Sequence, residues 1–151
     1  MPVSPYIKRL RDVIGTDLIY IPAVSVLAVD RDRVLLVYEV DQEAWSAPGG
    51  AMEVDERPQD AARREVLEET GLTVEIGEIV TVLGGPEFRV TYRNGDKIAY
   101  VTTVYRATVV GGAARPDGDE VSAIDWFPID ALADVALNTF ATELFGAIGW
   151  L

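Results

Sequence analysis

Pro58 and Gly71 bracket a stretch with one good option, a helix of about three to four turns. Proline is preset for a first helical turn, and glycine suits the residue that ends one. At about 100° per residue, that helix carries Glu65, Glu68 and Glu69 within roughly 100° of arc. Ala61 and Ala62 lie within or beside the same arc, Val66 flanks it, and Leu67 and Arg63 fall opposite. The carboxylates therefore share their side with small apolar residues, where another element can approach closely. Like charges at this spacing repel. A solvated acidic helix would place lysine or arginine four residues after its glutamates, but Glu69, Leu72 and Thr73 stand there instead. Arg64 reaches Glu68 and Asp60 reaches Arg64, so the compensation is partial. Crowded carboxylates beside a cleft have raised pKa values unless a cation sits among them. Closely spaced oxygen ligands suit Mg²⁺, which keeps waters and binds substrate phosphates. The segment predicts one half of a divalent-cation site.

Composition narrows the chemistry further. The chain has no cysteine and no histidine, which removes disulfides, thiolate nucleophiles and His-based dyads. A metal site must be built from oxygen, favouring Mg²⁺, Mn²⁺ or Ca²⁺. The net charge of −12 repels polyanions, so neither a nucleic acid polymer nor an anionic membrane is expected as a partner. A phosphate compound would need a cation to mediate its binding. The first 15 residues mix charged and apolar side chains without a signal-like core, and the apolar run 18–29 is too short to span a membrane. A cytoplasmic location is expected. A length of 151 residues suits a single domain, 1–151.

Along the chain, Tyr6, Ile7, Leu10, Val13 and Ile14 predict a short amphipathic helix over 5–15. Residues 19–29 and 34–40 read as a strand hairpin turning at 30–33, and 45–56, with Pro48, Gly49 and Gly50, as a loop. The helix over 58–70 follows, then a strand over 73–83. A long hairpin spans 87–110 with Asn94-Gly95 at its tip. Residues 111–120 form a loop, 124–127 a short strand, 128–135 a helical segment, and 139–148 a last helix. Strands with one long helix in the middle and another at the end point to an α+β or α/β/α layered domain.

The segment "GAMEVDERPQDAARREVLEETGL" resembles the Nudix hydrolase box, G-x5-E-x7-R-E-U-x-E-E-x-G-U, with U a bulky aliphatic residue. Gly50, Glu56, Arg64, Glu65, Val66, Glu68, Glu69, Gly71 and Leu72 all fall in place. The preceding Pro48-Gly49 and the later "EVSAIDWFPIDAL" are similar to the family as well. The resemblance implies the Nudix fold, a mixed β-sheet sandwiched between helices. It implies hydrolysis, aided by Mg²⁺ or Mn²⁺, of the pyrophosphate bond in a nucleoside diphosphate linked to another group. Glu65, Glu68 and Glu69 would be the metal ligands, helped by the backbone carbonyl of Gly49, and Glu65 is also a candidate general base. Arg64 would orient a carboxylate, with Glu56 as its partner. Glu120 is the candidate for one further ligand or the base, and Asp117 and Asp119 compete with it.

For the rest of the substrate, Trp45, Tyr38, Phe88, Tyr92 and Trp126 are candidate stacking residues, although packing is the commoner job for each. Arg89, Arg93 and Arg106 are candidate phosphate contacts, with Arg89 and Arg93 expected on one strand face. Pro86 lies near the place of a proline in ADP-ribose-cleaving members, and the extended motifs of the NADH- and coenzyme A-cleaving branches are absent. An ADP-ribose or nucleotide-sugar substrate is favoured over a house-cleaning (d)NTP pyrophosphohydrolase. The rivals from other classes are a non-catalytic nucleotide-binding sensor and a Ca²⁺-stabilised structural domain. Family habit and the apolar positions Tyr6, Leu10 and Val13 suggest a homodimer.

Overall fold

The computed structural model describes residues 3–151. In chain order its elements are α1 (Pro5–Ile14), β1 (Ile19–Asp30), β2 (Arg33–Glu39), β3 (Ala44–Ser46), β4 (Gly49–Ala51), α2 (Pro58–Thr70), β5 (Leu72–Leu83), β6 (Arg89–Thr91), β7 (Lys97–Gly112), β8 (Val121–Pro128) and α3 (Thr139–Ala147). Short 3₁₀ turns occupy Pro86–Phe88 and Ile129–Asp134.

The frame is β1 running parallel to β7, in register from Ile19↔Ile98 to Ala28↔Ala107. On the far side of β7 lie β5 and β6, both antiparallel. On the near side β4 pairs with the middle of β1. β2 joins β1 only at Val29↔Val34 and Asp30↔Arg33, then peels away to pair with β3 and β8. The sheet is therefore mixed, as the resemblance implied.

Successive strand residues point to opposite faces, and β1 is apolar on both. Val24, Val26 and Ala28 pack under Ala61, Ala62 and Val66 of α2. Leu27 turns the other way, toward Leu144 and Phe145 of α3. Helices on both faces make an α/β/α sandwich. α1 closes one end by laying Ile7, Leu10 and Ile14 on Ile19, Ile21 and Ile98, while Tyr6 and Val13 stay exposed.

Three expectations need correction. The stretch 45–56 is not all loop, because β3 and β4 form there under the pull of β2 and β1. The short strand expected at 124–127 is longer, Val121–Pro128, and the helical segment after it is a 3₁₀ turn. The hairpin is shorter than 87–110, since Glu87 lies in a 3₁₀ turn and β6 has three residues. At its tip the Tyr92 N–H donates to the Asp96 carbonyl and the Gly95 N–H to the Tyr92 carbonyl, both at 2.9 Å. Gly95, at φ 90°, takes the left-handed position this three-residue loop requires. Arg93 thereby sits in the turn instead of sharing a strand face with Arg89.

Candidate active site

Helix α2 turns Glu65 and Glu69 inward, and both are buried, at 1% and 7% exposure. Ala61 and Ala62 on the same side let the sheet come close enough to cover them. Glu68 sits exposed at the rim. The chain between β3 and β4 passes over this face. The Gly49 N–H donates to Glu69 Oε2 at 3.2 Å. Only glycine fits there, because a Cβ on residue 49 would meet the Val24 carbonyl oxygen at 2.2 Å. A Cβ on Gly50 would come within 2.7 Å of Glu65 Oε1, so the missing side chain leaves room for that carboxylate.

Arg64 organises the charges. Its Nε and Nη2 donate to the two oxygens of Glu56 at 2.7 and 3.0 Å, a two-pronged pair. Nη1 donates to Glu65 Oε1 at 2.8 Å and to Glu68 Oε2 at 3.3 Å, and Nη2 also to the Ala51 carbonyl at 3.0 Å. The pairing holds the Glu56 carboxyl below its usual range. Glu65 is pushed up to about 7, mainly by burial. Arg64 pulls against this, while the charges of Glu68 and Glu56 add to it. Glu69 is raised well above the usual range by burial, and further by Glu65 and Glu39; its bond from the Gly49 amide opposes the shift.

Among the described residues no three acidic side chains gather closely enough to hold an ion between them. The expected trio is divided, because Arg64 draws Glu65 and Glu68 to itself while Glu69 turns to the Gly49 amide. Glu120 lies exposed on the loop before β8, its N–H bonded to Asp117 Oδ1 at 3.0 Å and its carbonyl accepting from the Val40 N–H at 2.9 Å. Asp117 Oδ1 also accepts from the N–H groups of Asp119 and Val121, both at 2.9 Å, so this carboxylate staples the loop. Beside it opens a cavity of about 490 Å³ lined by Leu67, Glu68, Gly71, Arg115, Pro116 and Asp117, at the exit of α2.

Most candidate stacking residues are occupied with packing. Phe88 is buried. Trp45 meets Tyr38 and Phe127 edge-on, with centroids 5.4 and 4.8 Å away. Trp126 lies under the Arg33 guanidinium at 5.8 Å. Arg89, Arg93 and Arg106 are exposed, and Arg93 is 3.9 Å from Glu43. Tyr92 differs: its hydroxyl is 2.6 Å from that of Tyr100.

Sequence reasoning passed over Tyr100 and, more importantly, Glu39. Asn138 Nδ2 donates to Glu39 Oε2 at 2.9 Å. Burial raises the pKa of this carboxyl, against hydrogen bonds from Asn138 and Ser46. Its signal in the sequence was an acid ending a strand whose Val34, Leu35, Leu36 and Val37 are all fully buried.

The donor types on this face suit a divalent cation, even though three acidic side chains do not converge on one point among the described residues. Every side-chain donor is a carboxylate oxygen, suited to a hard ion. Two of them are buried with raised pKa values, and Glu69 faces backbone N–H rather than a full positive charge. The missing Cβ of Gly50 keeps space at Glu65.

Residues 19–147 match the NUDIX domain, and the chain belongs to that family. It is thus an enzyme of the class that acts on pyrophosphate bonds. It is 28% identical over 143 residues to a MutT-like protein of Streptomyces ambofaciens, covering 95% of this chain and 86% of that protein. It is 35% identical over 104 residues to an 8-oxo-(d)GTP phosphatase of Mycolicibacterium smegmatis, covering 68% of this chain but 29% of that protein. Among solved structures, an ADP-ribose pyrophosphatase from Streptococcus suis 89-1591 is similar with a TM-score of 0.68 and 25% identity, covering 86% of this chain and 87% of that one. No helix among the described residues is long and apolar enough to cross a membrane.

Proposed function

We propose that this chain hydrolyses the pyrophosphate bridge of a nucleoside diphosphate joined to a second group, of the ADP-ribose or nucleotide-sugar type, with Mg²⁺ or Mn²⁺ as cofactor. One observation carries the reading: two buried carboxylates, Glu65 and Glu69, stand one turn apart on α2 with raised pKa values, Gly50 leaving room at Glu65 and the Gly49 N–H bonding Glu69. The extent of the likeness to the Streptococcus suis ADP-ribose pyrophosphatase supports the substrate type.

Glu65, Glu68 and Glu69, the Gly49 carbonyl and Glu120 would hold the ion. A bound divalent ion neutralises phosphate charge and makes water a better nucleophile. In the reaction a water oxygen bonds to one phosphorus, the bridging P–O bond breaks, and the departing phosphate takes the electron pair. Glu65 accepts the proton of that water, its carboxylate oriented by the Arg64 bond to Oε1. Glu56 in turn fixes Arg64 through both its oxygens.

The test is turnover of ADP-ribose, a UDP-sugar and 8-oxo-dGTP in ¹⁸O-labelled water, with Mg²⁺, with Mn²⁺ and with chelator. We expect two phosphate-bearing products from the sugar-linked substrates, the label in one of them, and no turnover with chelator. Glu69→Gln should lower kcat by at least about 10²-fold, as losing a group that stabilises the transition-state charge does. Preferred cleavage of 8-oxo-dGTP would favour the (d)NTP reading. No wild-type turnover, with nucleotide still bound, would favour the sensor and overturn the proposal.

A further inference from the structure

We propose that Glu39 is a specificity-determining residue, the hydrogen-bond acceptor of a subsite for an uncharged sugar next to the diphosphate; the inference rests on the pyrophosphohydrolase reading above.

The placement follows from the fold. β2 and β3 pair so that Glu39 lies opposite Ala44 and Val37 opposite Ser46, which puts Glu39 and Ser46 at neighbouring positions of the pair. Three residues later the Gly49 N–H bonds Glu69. Both carboxylates thus hang from one short segment, and three residues span at most about 11 Å. Tyr92 and Tyr100 are brought to the same end of the fold through α3, whose N-cap Asn138 bonds Glu39 and whose Phe140 meets Tyr100; the Glu39 charge helps to push both phenols and Glu69 up. Phe140, in the first turn of α3, lies edge-on to Tyr100 at 6.0 Å.

Glu39 is held still. Asn138 accepts from the Ala141 N–H through Oδ1 at 2.7 Å, capping α3, and donates to Glu39 through Nδ2. A carboxylate offers about four acceptor positions. Asn138 uses one, and others remain for a ligand. The phenol pair complements it: one hydroxyl donates to the other, which leaves one O–H to donate outward. A donor and an acceptor side by side match hydroxyl groups, which need both. A negative acceptor in this place also repels an additional phosphate. The hydroxyls could belong to the nucleoside ribose or to a second sugar.

The experiment compares wild type with Glu39→Gln on ADP-ribose, on its analogues deoxygenated at the nucleoside ribose or at the distal ribose, and on dATP. Glutamine can still accept from Asn138, so the Tm should hold, but it presents an amide N–H where the sugar hydroxyls donate. We expect kcat/KM for ADP-ribose to fall about 10- to 100-fold, mostly through KM, with dATP changed less than about threefold. The wild-type preference for ADP-ribose over one deoxy analogue should shrink in the variant, and that analogue names the sugar Glu39 touches. If Glu39→Gln does not fold, Glu39→Asp withdraws the carboxylate and the same ratios are read. Equal losses on every substrate, or none, would overturn the inference while wild-type turnover keeps the proposed function. No wild-type turnover overturns both.

Discussion

Gly49 and Gly50 are neighbours with different liabilities. A Cβ at residue 49 would strike a backbone oxygen, Val24 O at 2.2 Å, and the strand pair would have to part. A Cβ at residue 50 would strike the end of a side chain, Glu65 at 2.7 Å, which can swing away. Gly49→Ala should therefore cost about 1–3 kcal/mol, the usual range for overpacking. Thermal unfolding would register this at about 2–4 °C per kcal/mol. Gly50→Ala should leave the Tm nearly unchanged yet lower kcat on the order of 10²-fold, because the carboxylate moves by roughly an ångström. A Gly50→Ala protein with normal kcat would mean that the position of Glu65 does not matter to the chemistry.

Among the elements, α2 was the most legible from sequence, and its start explains a weakness. It begins on Pro58 with Arg57 as N-cap, and Arg57 supplies no side-chain hydrogen bond to the first turn. The Arg57 backbone already has the extended conformation a capping residue needs, φ −76° and ψ 146°. Arg57→Ser should add about 0.5–1 kcal/mol, a Tm rise of roughly 1–4 °C, with kcat unchanged. A fall in Tm would show that the exposed arginine has a partner worth more than the cap. The boundaries of α2 could be read because proline and glycine act locally. β3 and β4 could not: each has three residues, and β4 begins with two glycines, so its pairing is imposed by β1. Spacing placed three glutamates on one flank, but it could not show that the Arg64 fork would separate them. Glu39 acquires its meaning from Asn138, 99 residues away, a distance no local pattern bridges.

At the scale of the molecule, the buried acids set how stability varies with pH. Glu39, Glu65 and Glu69 all have raised pKa values, so the folded protein holds their protons more tightly than the unfolded chain. Their contribution is fully present below the unfolded value near 4.5 and is lost as pH rises, through about 7 for Glu65. Glu56 has the opposite sign: its contribution is present above its unfolded pKa and is lost in acid. Between about pH 5 and 8 the Glu65 carboxyl titrates, and a net charge of −12 adds self-repulsion in the same direction. In chelator, the Tm should therefore fall across this window. High salt separates the two causes. At about 1 M the Debye length is near 3 Å, which screens the surface charges but not the buried carboxylates, so a slope should persist. Added Mg²⁺ should reverse it, because an ion binds the deprotonated oxygens and stabilises the fold by about 2.7 kcal/mol at one hundred times its Kd. The Mg²⁺-induced rise in Tm should thus be larger at pH 8 than at pH 5. A Tm that climbs with pH in chelator, or a Mg²⁺ effect independent of pH, would mean that burial does not raise the Glu65 and Glu69 carboxyls in the metal-free fold.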